Sequence, residues 1–416
     1  MNMVQKINTA FSNSKKAVTE LTNVKNEMNT IINDAKFDYT SYNLPILYLT
    51  GDTTGMNKDD KVTLDYVYKE LSGTCTVKWQ GSSSLAYPKK NYTVTFDKPF
   101  EAHDGWGEQK KYCLKANYID FSHARNIVCA KLWGQVVRSR AIKNERLYDL
   151  PNGGAIDGFP IMVVINDVYQ GLYSFNIPKD KWMLGMSDDV STNCILGANV
   201  HSAATQFKAT ALVDETDFEA EYVPNEDDYQ WVIESLNRLI NACMNNSGAL
   251  FENAVSPYID LDSAIDYYIF TCLVTGADMT DKNYLLGTFD GVKWFFNAYD
   301  MDTTFGNHWA GTAYYQVAYG PTFRQFSNTH QLMHLIYTYT PEKLKARYKQ
   351  LRKDALSLSN VYYMFYNYSV NIPKALLDEE VKIWTKLPGT NTNNIDQIMT
   401  NYRLRCEMLD NEIENL

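Results

Sequence analysis

Two short acidic stretches in the second half of the chain are the clearest indication of its fold. Residues 276–283 read GADMTDKN, and residues 298–306 read AYDMDTTFG. Between them, Tyr284–Thr288 and Val292–Ala298 are typical of two strands joined by the turn FDG, which predicts a β-hairpin. A helix is predicted over 262–274, immediately before the first stretch. The predicted order is therefore helix, acidic loop, hairpin and second acidic loop.

This order suits phosphoryl transfer, which needs few protein groups. One carboxylate must accept or orient the hydroxyl proton, and an amide and a carboxylate must hold Mg²⁺ across the phosphates. Protein kinases supply these groups as D-x-x-x-x-N, a hairpin, and an Asp just past its second strand. Asp278 and Asn283 have that spacing, while Asp300 and Asp302 have that position. A purely structural role as turn residues is the alternative, and for Asp281 a role as a turn cap is expected.

A second candidate element lies in the strand-rich first half. Residues 78–90 read KWQGSSSLAYPKK, which predicts a strand, a small-residue loop and a second strand opened by two lysines. Backbone N–H groups of such a loop can approach phosphates closely, and a lysine beside it can neutralise them. The candidate phosphate-binding residues are Ser82, Ser83, Ser84, Lys89 and Lys90. A hairpin loop with solvated lysines is the alternative.

The two halves differ in character, which predicts an α+β chain with two lobes. Strands are predicted at 44–49, 74–79, 91–96 and 112–116, and as a hairpin of 159–166 with 171–175. Helices are predicted at 121–138, with Asp120 or Ser122 as its cap, and at 227–246, 261–275, 341–359 and 393–415. The predicted division is a coiled-coil helix at 1–36, a strand-rich N-lobe at 37–222 and a mainly helical C-lobe at 223–416.

The first 36 residues carry a heptad pattern. Its apolar positions alternate by steps of three and four, with Ser14 and Lys25 in the two gaps. These positions are Val4, Ile7, Phe11, Val18, Leu21, Met28 and Ile32. An isolated helix of this length is marginal, so the pattern predicts a homo-oligomeric coiled coil, either a dimer or a trimer. A helix packed on its own domain is the alternative.

The composition narrows the classes of partner. A net charge of −10 argues against nucleic acid and anionic membranes as partners. No apolar run is long enough for a membrane span, and the polar N-terminus does not predict a signal peptide. The scattered cysteines are expected to be buried thiols rather than a disulfide framework. His330 and His334 stand at i, i+4 without the Glu of H-E-x-x-H, so they predict helix-surface or core histidines.

Four blocks of this sequence resemble signatures of the CotH kinase family, whose members include spore-coat proteins. The blocks occur in the family's order over roughly residues 44–415. They are QGSSS at 80–84 with Lys89-Lys90, LKANYID at 114–120 with Arg125-Asn126, INDVYQGLY at 165–173, and DMDTTFG at 300–306. The resemblance implies an atypical bilobal protein-kinase-like fold that binds ATP with Mg²⁺ or Mn²⁺ and phosphorylates protein Ser/Thr.

The resemblance also implies roles for individual residues. Asp278 would be the catalytic base, Asn283 a metal ligand, and Asp300 or Asp302 the second metal ligand. Lys89 or Lys90 would reach the phosphates. Four further residues would be scaffold or cleft residues: Asn117, Asp120, Arg125 and Asn126.

Two departures from the family and kinase patterns bear on catalytic competence. Gln80 stands where the family often has Arg, and the predicted helix 121–138 has no carboxylate in its body to position a phosphate-binding lysine. The sequence is therefore compatible with two functions. One is a kinase-like enzyme attached through its coiled coil to a larger assembly. The other is a non-catalytic structural or host-adhesion component of a bacteriophage tail or baseplate, with other virion proteins as partners. A bacterial cytoplasmic or spore-coat location is the alternative to the virion.

Overall fold

The computed structural model of the chain describes residues 3–34, 37–141, 145–212, 216–225, 230–246, 248, 250–316 and 320–416. Contacts between Cα atoms divide the chain into two compact units, Met1–Asn43 and Leu44–Leu416. All the candidate site residues lie in the second unit. None of the described helices is long and apolar enough to cross a lipid bilayer.

The first unit is built on one long helix, α1 (Met3–Asp34), of 32 residues. Helix formation in this segment is therefore confirmed, while residues 1–2 and 35–36 lie outside the described part of the chain. Two heptad positions, Val18 and Leu21, are 62% and 72% exposed. The side chains at the other five apolar heptad positions lie outside the described ones. Assembly through this helix stays a prediction.

The second unit begins with a closed seven-stranded barrel. Its strands are β1 (Ile46–Thr50), β2 (Val62–Tyr68), β3 (Leu71–Gln80), β4 (Asn91–Phe100), β5 (Gln109–Lys115), β6 (Gly158–Ile165) and β7 (Val168–Asn176). Their spatial order is β1-β2-β3-β4-β5-β7-β6, and the parallel pair β1–β6 closes the barrel. Alternate residues point inward, and stacked rings such as Tyr68 on Phe175 fill the interior. The strands predicted in the first half of the chain fall in this barrel, but its closure was not predicted.

The β6–β7 hairpin confirms the predicted hairpin with a shorter turn. Asn166 and Asp167 have φ values of 48° and 62°, and β7 starts directly afterwards at Val168. Two successive left-handed residues make the type I′ turn that matches the twist of paired strands. Asn and Asp tolerate that conformation better than other residues with a Cβ.

The predicted start of helix 121–138 was wrong. The observed helix α2 (Arg125–Arg138) begins four residues later, and its N-cap is Ala124 rather than Asp120 or Ser122. His123 has a φ of 56°, which interrupts the helical conformation. Asp120 instead accepts hydrogen bonds from the backbone N–H groups of Ser122 (3.2 Å) and Arg125 (2.8 Å). These bonds stabilise a turn before the helix.

A second, antiparallel sheet follows the barrel. Its strands are β8 (Cys194–Ala198), β9 (Phe218–Tyr222), β10 (Tyr284–Thr288) and β11 (Trp294–Ala298), in the order β11-β10-β8-β9. The predicted hairpin of β10 and β11 is confirmed. Strands β8 and β9 precede residue 222, yet β8 pairs with β10 along its whole length. One sheet therefore joins segments from both sides of the predicted lobe boundary.

The remaining described helices also belong to the second unit. They are α3 (Glu145–Asp149), α4 (Gln230–Asn245), α5 (Phe251–Val255), α6 (Leu261–Leu273), α7 (Phe323–Thr329), α8 (Gln331–Tyr339), α9 (Pro341–Lys353), α10 (Leu358–Ser369), α11 (Lys374–Ile383) and α12 (Ile395–Glu414). The predicted single helix 341–359 is two helices, because Ser357 caps a new one at Leu358. Trp133 of α2 packs edge-on against Tyr267 and Phe270 of α6. All seven cysteines are buried thiols, as expected.

Candidate functional site

The first acidic stretch lies in a strained turn that follows α6. A short 3-10 helix, Ala277–Met279, holds Asp278 half-buried at the surface. Thr275 has a φ of 58°, which is unusual for a β-branched residue, and its hydroxyl accepts a hydrogen bond from Gly306 N (2.8 Å). The Tyr267 hydroxyl donates to Met279 O (2.6 Å). This backbone strain is maintained by contacts from neighbouring segments, as is common at functional sites.

Asn283 ends the same loop and directly precedes β10. Its φ is 56°, and its backbone N–H donates to Ala198 O at 2.7 Å, which ties the loop to β8. Its side-chain amide makes no hydrogen bond to the part of the chain that the structure describes. The amide is therefore available to a ligand, as the predicted role as a metal ligand requires.

The second acidic stretch follows β11, where the sequence placed it. Asp300 has a φ of 56°, and the next backbone N–H, that of Met301, donates to Asn126 Oδ1 on α2 at 2.7 Å. Asn307 Nδ2 donates to Asp302 O at 2.8 Å. The turn at residues 300–302, here called the D-x-D turn, is therefore held by hydrogen bonds from two sides. The contact from α2 is made by the side-chain amide of Asn126 and not by a carboxylate.

Charges converge on Asp302. Burial raises the pKa of its carboxyl group well above the usual value, and the nearby charges of Asp300 and Asp120 raise it further. The Lys115 ammonium opposes this shift, while Asp278 adds to it. Three carboxylates, those of Asp300, Asp120 and Asp278, thus lie within electrostatic reach of Asp302. A bound cation would relieve this repulsion.

The donor set suits a cation that also binds phosphate. Among the described residues, no three His, Cys, Asp or Glu side chains are grouped to hold a metal by themselves. Mg²⁺ in phosphoryl-transfer sites is held by one or two carboxylates and by substrate phosphates, and it keeps several waters. Asp300 and Asp302, with the free amide of Asn283, fit that pattern.

A narrow cavity lies between the barrel and the D-x-D turn. Its lining includes Gln80, Lys115, Asn126, Asn176, Lys179 and Asp300. Gln80 Oε1 and Asn176 Oδ1 are buried acceptors without a hydrogen-bond partner among the described residues. Lys115 makes no ion pair or hydrogen bond within that part of the chain, whereas Lys179 pairs with Glu221. Unsatisfied acceptors and an unpaired cation indicate that the cavity is built to bind a polar ligand.

The same cavity is too small for a nucleotide. Its volume is about 20 Å³, whereas pockets for ligands the size of a nucleotide hold about 300 Å³ or more. A nucleotide therefore requires the barrel side and the D-x-D side to move apart, as happens in many enzymes that close around a substrate.

The small-residue loop that begins GSSS at residues 81–84, here called the Gly/Ser loop, ends close to the D-x-D turn. Burial raises the pKa of Tyr87, and the charge of Asp302 raises it further. Tyr87 stacks on Tyr118, with 4.7 Å between ring centroids, and its hydroxyl donates to Trp309 O (3.3 Å). Ser82 and Ser83 are exposed, and Ser84 is half-buried with its hydroxyl 3.3 Å from Asn91 Nδ2.

Glycine is required at position 81 in this loop. Gly81 has a φ of 123°, and a Cβ there would collide with the Ser84 hydroxyl. This requirement explains the glycine at the start of the QGSSS block.

The two candidate lysines have different environments. Lys89 is only 1% exposed, and its ammonium donates to Ala116 O (3.2 Å), Leu172 O and both carboxylate oxygens of Glu380 (2.9 and 3.0 Å). Lys90 donates to Leu85 O and Tyr87 O, both at 2.6 Å. Neither lysine lines the cavity. Lys90 holds the Gly/Ser loop in shape, and Lys89 is enclosed behind it.

Sequence analysis missed Glu380 and Lys115. Glu380 comes from α11, almost 300 residues after its partner, and nothing in its local pattern marks it. Gly171 was the available signal, since a Cβ there would collide with the Glu380 carboxylate. Lys115 lies within the LKANYID block, but no local pattern predicts its role, because its position in the cavity depends on how β5 meets the D-x-D turn.

Two of the four predicted scaffold residues, Asp120 and Arg125, belong to one buried network, whereas Asn117 donates to Ser174 Oγ (2.8 Å) and Asn126 contacts the D-x-D turn. Arg125 donates to Asp120 Oδ1 (2.6 Å), Thr304 O (2.9 Å), Gln397 Oε1 (2.6 Å) and Asn393 Oδ1. It thereby joins the start of α2, the D-x-D segment and the start of α12. A buried, hydrogen-bonded arginine of this kind fixes the positions of the segments that it joins more than it adds to the free energy of unfolding.

Asp281 and His330 have structural positions. Asp281, for which a turn cap was expected, lies buried and contacts His201 Nδ1 and Gln206 Nε2, both at 2.8 Å. It holds the loop after β8 against the first acidic stretch. His330, predicted as a core or helix-surface residue, is a core residue packed against Phe207, Tyr284 and Phe296.

Comparison with known proteins supports the resemblance that the four blocks indicated. The family model described as CotH kinase protein matches residues 77–409, from within β3 to within α12. A search among curated proteins finds no match. The matched range contains the Gly/Ser loop, the acidic stretches, the cavity and the buried networks. The chain belongs to the CotH kinase family.

Proposed function

We propose that the cavity between the barrel and the D-x-D turn binds ATP with Mg²⁺ or Mn²⁺, and that the protein transfers the γ-phosphoryl group to a Ser/Thr hydroxyl of another protein. The observation that carries the proposal is the approach of three carboxylates, those of Asp300, Asp120 and Asp278, to Asp302, with the unpaired Lys115 ammonium also within electrostatic reach. Such a pairing of repelling carboxylates with a free cation suits a metal-bound polyphosphate.

The proposed roles follow from the placement of each side chain. Asp300, Asp302 and Asn283 would hold the cation, which supplies neutralisation of phosphate charge. Asp278, half-buried beside them, would accept the proton of the acceptor hydroxyl. The exposed Ser82 and Ser83 would place backbone N–H groups near the phosphates.

Lys115 takes the role that the family resemblance gave to Lys89 or Lys90. The ammonium groups of both of those lysines are already bonded to protein oxygens. Lys115 lines the cavity beside Asp300 and has a free ammonium group. Its positive charge would face the phosphates without first breaking an internal contact.

Calorimetry and labelled-phosphate transfer test this proposal. We expect Mg-ATP to bind and to raise the melting temperature, and we expect Asp300→Ala combined with Asp302→Ala to remove both effects. Lys115→Ala should weaken binding about tenfold, the usual loss for one charge-assisted contact. Lys98→Ala, an exposed barrel lysine outside the cavity, is the matched control. Absence of Mg-ATP and Mn-ATP binding at millimolar concentration would sink the proposal.

Transfer is measured separately from binding. Asp278→Asn should retain Mg-ATP binding and lose transfer to protein acceptors by about two orders of magnitude or more. Binding without transfer to any Ser/Thr protein would leave a nucleotide-binding protein and overturn the kinase activity.

A second candidate function is a structural or host-adhesion component of a bacteriophage tail or baseplate, located in the virion. The observation that favours it is α1, a long helix in a compact unit of its own. Its described apolar residues Val18 and Leu21 are exposed, as coiled-coil seam residues are in a single chain. Light scattering tests it: a dimer or trimer that becomes a monomer when both residues are changed to Lys supports assembly. A monomeric wild-type protein contradicts it.

A further inference from the structure

The outer face of the barrel carries a second concave site, here called the Thr/Lys groove. It is defined by Lys61, Lys78, Lys111, Thr76, Thr93 and Thr95, with Asp59 at its edge, and its volume is about 340 Å³. None of these residues has a role in the proposed phosphoryl transfer at the cavity beside the D-x-D turn. The groove is far larger than the closed cavity beside the D-x-D turn.

Strand register makes the groove continuous with that cavity. Gln80 pairs with Asn91, Lys78 with Thr93 and Thr76 with Thr95, so these alternate pairs share the outer face of β3 and β4. The same rows extend to β5, where Thr93 pairs with Cys113 and Thr95 with Lys111. Gln80 and Cys113 line the cavity. The groove therefore begins one residue pair away from the proposed transfer site.

The groove offers hydrogen-bond donors that the protein does not use. Within the part of the chain that the structure describes, Lys61 and Lys78 have no ion pair, and the three threonine hydroxyls have no hydrogen bond. Lys111 is paired with Asp180 at 3.0 Å. Two free ammonium groups and three free hydroxyls on a half-buried concave surface favour an anionic ligand rich in oxygen atoms.

The lining also disfavours two other classes of polyanion, single-stranded nucleic acids and acidic polysaccharides. Among the residues that the structure describes, no aromatic side chain lines the groove, whereas single-stranded nucleic acids are bound largely by base stacking. Sugar rings likewise favour aromatic faces. Carboxylates on an extended peptide recur every second residue, about 6.8 Å apart, and could engage lysines on neighbouring strands.

We propose that the Thr/Lys groove binds an acidic polypeptide segment of a partner protein. That this partner is also the phosphoryl acceptor rests on the proposed function; the binding itself does not. Bound there, the segment would place neighbouring residues of the partner beside the cavity.

Fluorescence anisotropy with the full chain tests this inference. The probe is a labelled eight-residue peptide of alternating Glu and Ser, compared with alternating Lys and Ser. The groove variant is Lys61→Glu with Lys78→Glu. The control variant is Lys98→Glu with Lys110→Glu, exposed lysines of β4 and β5 outside the groove, which changes the net charge equally.

We expect the acidic peptide to bind, the groove variant to weaken it at least about tenfold, and the control variant to weaken it less than about twofold. Equal losses in the two variants, or no binding of the acidic peptide at low salt, overturn the inference. Tighter groove-dependent binding of oligo-dT or of heparin overturns the choice of occupant.

Nucleotide controls keep this inference distinct from the proposed function. Peptide binding should persist in Asp300→Ala with Asp302→Ala, whether or not Mg-ATP binds the wild-type protein. Complete displacement of the peptide by Mg-ATP would make the groove part of the nucleotide site and overturn the inference.

Discussion

Two charge sites in the second unit, one buried and one half-buried, are built in opposite ways. At the Lys89 site, one ammonium group meets both oxygens of Glu380 and two backbone carbonyls, and neither side chain is exposed. At the D-x-D site, like charges are gathered around Asp302, and Lys115 is the one cation among its largest electrostatic contributions. A paired buried charge holds a structure together, whereas an unpaired one is costly and marks a place for a ligand.

The pKa shifts express the same difference. Burial lowers the pKa of Lys89 and raises that of Glu380, and their mutual attraction opposes both shifts. For Asp302, burial and its carboxylate neighbours act in the same direction. The charges of the Lys89 site thus balance each other, whereas at Asp302 only Lys115 opposes the shift.

Removing the partner of Lys89 should have the largest effect on stability. Glu380→Ala leaves an uncompensated buried ammonium group, which costs about 3–5 kcal/mol in free energy of unfolding. Urea unfolding of wild type and variant measures the loss. Glu379→Ala is the control, because Glu379 pairs with the exposed Lys382 and its loss should cost less than about 1 kcal/mol.

A double variant sharpens this test. Lys89→Met with Glu380→Leu removes both charges and should recover much of the loss. A loss for Glu380→Ala no larger than that for Glu379→Ala would contradict the balanced ion pair.

His330 provides an intermediate case, a buried titratable group held neutral. It is 1% exposed, and burial lowers its pKa to about 3. The unfolded chain binds a proton near pH 6.5, so stability from this group is present above that pH and is lost as pH falls toward 3. Between pH 7 and pH 5 the loss should be about 2 kcal/mol.

Unfolding at both pH values should show this slope reduced in His330→Leu. His334→Leu is the control, since His334 is exposed in the next turn of α8 and should leave the slope unchanged. Equal slopes in wild type and His330→Leu would show that His330 is not the group responsible.

The smallest effect has the opposite sign and belongs to the D-x-D site. Asp302→Asn removes a carboxyl group whose raised pKa makes ionisation unfavourable in the folded state. Wild-type stability from this group falls as pH rises above the unfolded value near 3.9, so the variant should be more stable at pH 8 by about 1 kcal/mol. Thermal unfolding without metal checks this gain.

A hairpin-turn carboxylate is the control for that gain. Although burial raises the pKa of Asp290, hydrogen bonds from the backbone N–H groups of Lys293 and Val292 lower it overall. Asp290→Asn should therefore be neutral or destabilising. Destabilisation by Asp302→Asn would contradict repulsion at the D-x-D site and remove the contrast with Lys89.

Much of the local structure could be predicted from the sequence. The β10–β11 hairpin, helix α6 and the acidic stretches on either side of them follow from residue patterns over short distances. Helix α2 started later than predicted because Asp120 makes a turn with Ser122 and Arg125, and the left-handed His123 interrupts the helix. Propensity indicated a helix there, but tertiary contacts of Asp120 and Arg125 set its first residue.

By itself, the sequence determined the α+β class, the family, and the identity of the residues in the two acidic stretches, because these depend on order and spacing along the chain. The tertiary structure decided which charges meet. Glu380 meets Lys89 only because α11 packs against the β6–β7 hairpin, and Lys115 faces Asp300 only because the barrel closes beside the D-x-D turn. Electrostatic energy depends on distance in space and on burial, and neither is written in local sequence.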